Sequence, residues 1–102
     1  MLFLARMDVT FPESMDAEAK ADFQVREQQY SGDLQRQGIM KGIWRVVGEY
    51  ANYSIFDVDG HDELHAILTG FPMFAYMDIK ITPLAKHPNA TRDDFFGALT
   101  QE

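Results

Sequence analysis

The residues able to do chemistry in this chain gather in two stretches. The first is FQVREQQYSGDLQ, residues 23–35. Laid on a helix, it puts Phe23, Tyr30 and Leu34 on one stripe, and Glu27 falls inside that stripe, four after Phe23 and three before Tyr30. A helix buries such a stripe. Burial disfavours the ionised form of a carboxyl and raises its pKa. A carboxylate poised nearer neutral pH takes a carbon-bound proton more effectively than a surface glutamate does.

The second stretch is IMKGIWRVVGEYANYSIFDV, residues 39–58. It reads as two strands, 39–47 and 50–58, joined by a two-residue turn at Gly48-Glu49 with glycine first. That register pairs Arg45 with Asn52, Trp44 with Tyr53 and Ile43 with Ser54, and paired residues share a sheet face. Ile43, Arg45, Val47, Tyr50, Asn52, Ser54 and Phe56 then lie on one face, and Trp44, Val46, Ala51, Tyr53 and Ile55 on the other. A one-residue slip would scatter the set.

The polar face offers two catalytic donors beside Glu27, namely Asn52 and Ser54, to stabilise an enolate. Tyr50 is a further donor on the substrate-binding side. Arg45 can hold a substrate carboxylate with two parallel hydrogen bonds, which lysine does less well. A second reading stays open, in which Glu27 and Arg45 form a structural ion pair and Asn52 and Ser54 bond to backbone. Phe71, Phe74 and Tyr76 line the substrate pocket on the functional reading and belong to the core on the other. His65 reads as a partly buried structural histidine. Lys41 and Arg6 add cationic field or are surface charges.

The elements that must position these groups follow from periodicity. Residues 2–10 alternate as a strand. Pro12 breaks it, and Ser14 or Asp16 caps a helix running to about Gln37, with Gly38 as its stop. The hairpin follows. A short helix in DGHDELHAILTG is capped by Asp59 and ended by Gly70 and Pro72. MFAYMDIKITPL is the last strand, ending near Pro83. Strand, helix, strand, strand, helix, strand is the order of the α+β ferredoxin-like βαββαβ sandwich. Its second sheet face is largely apolar, which a partner sheet would cover. Residues 1–88 form this domain. The tail, 89–102, carries Phe95, Phe96 and Leu99 and is expected to pack on a neighbouring subunit.

Composition narrows the partners. The chain has 102 residues, which fits one domain, and a net charge of −7. That charge argues against nucleic acid and anionic membranes. A small anionic substrate needs a local cation against the global field. With no cysteine there is no thiolate chemistry or disulfide. His61 and His65 stand four apart, but no third ligand is near, so no metal is expected. No apolar run reaches 18 residues, and MLFLARMDV reads as a strand rather than a signal peptide, which makes the cytoplasm the default.

WRVVGEYANYSIFDV (44–58), FPMFAYMDIKITPLAKHP (71–88) and the opening MLFLARMDV together resemble the muconolactone Δ-isomerase family. The likeness runs from Met1 to about Pro88. It implies a dimeric α+β barrel assembled into a ring-like oligomer, commonly a decamer. It implies isomerisation of muconolactone, a small anionic lactone, to the enol-lactone of 3-oxoadipate, without a cofactor, in the catechol branch of the 3-oxoadipate pathway. By position it carries the family's first-helix glutamate onto Glu27. Where the family often has charged residues just after that glutamate, this chain has QQYSG. Two rivals remain open: elimination of chloride from a chlorinated muconolactone by the same base, and a barrel that only binds a small ligand.

Overall fold

A computed structural model describes residues 1–91. The elements are β1 (Leu2–Val9), α1 (Ala17–Arg36), β2 (Met40–Arg45), β3 (Ala51–Asp57), α2 (His61–Thr69) and β4 (Met77–Leu84). The four strands form one antiparallel sheet in the order β2-β3-β1-β4. This is the ferredoxin-like α+β sandwich that the element order predicts. Phe95, Phe96 and Leu99 of the tail lie outside the described residues.

Strand alternation sets the core. On β1 the inward residues Phe3, Ala5 and Met7 are buried, and Leu2, Leu4 and Arg6 between them are only partly so. Leu34 of α1, Leu64 and Leu68 of α2, and Met40 and Phe56 of the hairpin close over them. The other sheet face is left open: Trp44 is 47% and Tyr53 37% exposed. Across that face Arg6 bonds Asp8 at 3.0 Å and Glu49 at 2.9 Å.

The ends of α1 follow local chemistry. Asp16, in extended backbone, accepts the Ala19 N–H at 2.8 Å. At the far end Gly38 takes φ +77°, the Gly38 N–H reaches the Gln35 carbonyl, and the Ile39 N–H reaches that of Leu34. These two bonds make a Schellman motif, which needs a residue content in left-handed backbone.

The hairpin register matches the sequence reading: Arg45 pairs with Asn52, Trp44 with Tyr53, Ile43 with Ser54. The turn itself differs. The Glu49 N–H bonds the Val46 carbonyl at 3.1 Å, and Gly48 has φ +80°, so the tight turn is Val46–Glu49 with glycine third. The Val46 N–H bonds Ala51 O, which leaves a four-residue loop about the same centre; the pairing from Arg45 back to Gly42 is unchanged, and a bulge then shifts Met40 opposite Phe56.

Three other local expectations are corrected. The cap of α2 is Gly60 and not Asp59; the Asp59 N–H instead donates to Glu63 Oε2 at 2.9 Å. Met73–Tyr76 is not strand. It belongs to a connection holding a 3-10 turn at Phe74–Tyr76, and β4 begins only at Met77. His65 is exposed, because α2 turns Leu64 and Leu68 inward and His65 away.

Candidate functional site

The stripe on α1 explains where its carboxylate goes. Phe23 meets Tyr76 edge-on at 5.4 Å, and Tyr30 meets Phe71 edge-on at 4.7 Å. The Tyr30 hydroxyl also donates to the Ile67 carbonyl at the end of α2, at 2.7 Å. Gly70 makes room for it; a Cβ there would strike the Tyr30 hydroxyl. The stripe is thus clamped at two points on the connection between α2 and β4. Glu27, lying between the clamps, meets that connection at Met73. Its Oε1 accepts the Met73 backbone N–H at 3.1 Å.

That N–H is free for Glu27 because the surrounding turn uses other groups. The Phe74 N–H bonds Phe71 O, and the Tyr76 N–H bonds Met73 O. The second oxygen, Oε2, is buried and has no hydrogen-bond partner among the described residues. Loss of hydration pushes the carboxyl above the ordinary glutamate range, and the Met73 N–H and nearby Arg26 only partly oppose this. Arg45 takes no part: no ion pair joins it to Glu27 among the described residues, so the structural-pair reading has no support in the geometry.

Glu27 lines a cavity of about 370 Å³, within the size range of small-molecule sites, about 300–1,000 Å³. α1 forms one wall and the hairpin the opposite one. Arg45, Tyr50 and Asn52 line it from the hairpin, as the register expects. Arg45 lies over the Tyr50 ring, 5.1 Å from its centre, and Gln24 Nε2 donates to the Tyr50 hydroxyl at 3.1 Å. The cavity therefore faces a half-buried acceptor on α1 with a guanidinium, a phenol and an amide on the hairpin. Such an arrangement can bind a small carboxylate, remove a proton and stabilise the resulting oxyanion.

The other named residues sit elsewhere. Ser54 is fully buried beneath the site and donates to Asn52 Oδ1 at 2.9 Å. Phe71 is in the core, and Tyr76 packs among Phe11 and Phe23; neither lines the cavity. Phe74 is exposed and also outside it. Phe71 and Tyr76 brace the connection that carries Met73.

Sequence reasoning missed Gln24, Gln28 and Ser31, which line the cavity from α1. Their signal was available: with Glu27 they stand at spacings of three, one and three, a polar stripe beside the apolar one. Met73 and Met77 also line it, and nothing in their types marks them. Among the described residues, no group of three or more histidine, cysteine, aspartate or glutamate side chains could hold a metal ion. None of the helices among them is long and apolar enough to cross a membrane.

Comparison with known proteins gives consistent matches. The family model for muconolactone delta-isomerase matches residues 1–90. Muconolactone Delta-isomerase 1 of Acinetobacter lwoffii is 55% identical over 94 residues, 92% of this chain and 98% of the relative. Muconolactone Delta-isomerase of Cupriavidus pinatubonensis is 55% identical over 92 residues, 90% of this chain and 100% of the relative. A crystal structure of muconolactone isomerase superposes with a TM-score of 0.87 at 39% identity, covering 92% of this chain and 98% of that one.

Proposed function

The chain belongs to the muconolactone delta-isomerase family, and we propose that it converts muconolactone to 3-oxoadipate enol-lactone by proton transfer through Glu27. The observation that carries the mechanism is the buried, unpartnered Oε2 of Glu27 in a carboxylate whose pKa burial has raised.

The chemistry asks for little more. The γ hydrogen of the unsaturated lactone is acidic because its conjugate base is a dienolate. Glu27 takes that proton. The C–H electron pair becomes the new ring double bond, and negative charge moves onto the lactone carbonyl oxygen. The amide of Asn52 and the phenol of Tyr50 stabilise that oxygen as charge develops. The same carboxyl returns the proton to the α carbon. One proton leaves and one arrives, so no cofactor or co-reactant is consumed. A single base serves if both carbons lie on its side of the ring, and Arg45 sets that alignment by holding the carboxymethyl group.

An oligomer belongs to the same proposal, commonly a decamer in this family. The outer sheet face, where Trp44 and Tyr53 stand exposed beside the ion pairs of Arg6 with Asp8 and Glu49, supports it. A cytoplasmic location belongs to it as well.

The test is an ultraviolet assay of muconolactone conversion, with a parallel arm measuring chloride released from a chlorinated muconolactone. Conversion of muconolactone by purified protein is expected. A folded protein that leaves muconolactone untouched would overturn the proposal, and chloride release alone would replace it with dehalogenation.

A further inference from the structure

Ser54 is the one buried polar residue among the described residues, and it is 0% exposed. It sits in the middle strand of three, paired with Ala5 on β1 and Ile43 on β2. An alanine there would be the simpler choice, because a hydroxyl in an apolar core is unfavourable unless it is bonded. Its hydroxyl is bonded to Asn52 Oδ1 at 2.9 Å, two residues along the same face. Asn52 is also a wall of the cavity.

We propose that Ser54 is a positioning residue: by occupying Asn52 Oδ1, it makes the cavity see the Nδ2 donor of that amide and not its oxygen. This rests on the reading of Asn52 as an oxyanion donor. The two ends of an asparagine amide are nearly the same shape and opposite in polarity. Presented the wrong way round, Asn52 would set a lone pair against the developing enolate and repel it. β3 lies between β2 and β1, so its carbonyls are engaged in ladders on both sides. If the amide turned over, the Ser54 proton would lose its acceptor while fully buried, an arrangement that native structures avoid. The buried hydroxyl thereby fixes the polarity of a group that does touch substrate.

The test is a double-mutant cycle of Ser54→Ala and Asn52→Ala, measured as kcat and KM on muconolactone. Ser54→Ala should lower kcat by about 5- to 50-fold with KM nearly unchanged, and should add almost nothing in the Asn52→Ala background. Ser54→Cys, with a weak donor of similar size, should fall between wild type and Ala. Circular dichroism at the assay temperature checks that each variant is folded. If Ser54→Ala is unfolded there, the Cys variant carries the same comparison. An equal loss of kcat with and without Asn52 would make Ser54 merely structural and overturn the proposal, as would an unchanged kcat. If Asn52→Ala itself keeps full turnover, the donor reading fails first, and that outcome is distinguishable from the others.

Discussion

The floor and the rim of the cavity are held in different ways. At the floor, Glu27 is tied to a backbone N–H and Asn52 to a buried hydroxyl. At the rim, Arg45 and Tyr50 are exposed, with a cation–ring contact between them and one bond from an exposed glutamine. Groups fixed by buried partners hold the same geometry before and during reaction, which is what stabilises a transition state. Groups at an open rim can follow an incoming carboxylate and bind it in ground and transition states alike. Substitutions at the floor should therefore act on kcat, and those at the rim on KM.

The sharpest break in that contrast comes from the base. Glu27→Gln keeps the shape and removes proton transfer, so kcat should fall by about 10³-fold or more. Turnover near wild type in the ultraviolet assay would remove Glu27 from the mechanism. Next, Asn52→Ala should lower kcat by about 10²- to 10³-fold with a small change in KM. A change confined to KM would move Asn52 from floor to rim. At the rim, Arg45→Lys keeps the charge and loses the fork, and should raise KM by about 10-fold with kcat within a few-fold. An unchanged KM would take Arg45 out of the carboxylate site.

The smallest effect is on stability. Burial raises the folded-state pKa of Glu27, so the folded state holds that proton more tightly than the unfolded state. This stabilising contribution is fully present below the unfolded value, about 4.3, and is lost as pH rises through the folded one. At neutral pH the buried charge therefore costs stability. Glu27→Gln should melt a few degrees above wild type at pH 7 and show little gain in acid. A lower melting temperature at pH 7 would mean the carboxylate is better satisfied than its environment indicates.

How far the sequence showed this contrast depends on what fixed each part. The hairpin wall was legible although the turn type was not. Any even-numbered loop centred between Gly48 and Glu49 gives the same pairing, so Arg45 still meets Asn52. Glu27 was legible from its place in an apolar stripe. Its partner was not, because a backbone N–H such as that of Met73 carries no side-chain signature. Phe71, Phe74 and Tyr76 read as either pocket wall or core, and Phe74 and Tyr76 fell in a segment read as strand. The chain instead coils into a turn there, and the rings brace it against α1 and the core or face outward. Ser54 was read as a donor to substrate from its sheet face alone, whereas its hydroxyl is buried on Asn52 and lies outside the cavity lining.

The central claim is that a half-buried Glu27 serves as the base, and the pH profile of kcat/KM on muconolactone tests it most directly. The reactive form is the carboxylate, so activity should fall on the acid side, with a midpoint above the ordinary glutamate range and a slope of one proton. The limb should be absent from the residual activity of Glu27→Gln. A wild-type limb at the ordinary glutamate value, or one that survives unchanged in that variant, would contradict the account.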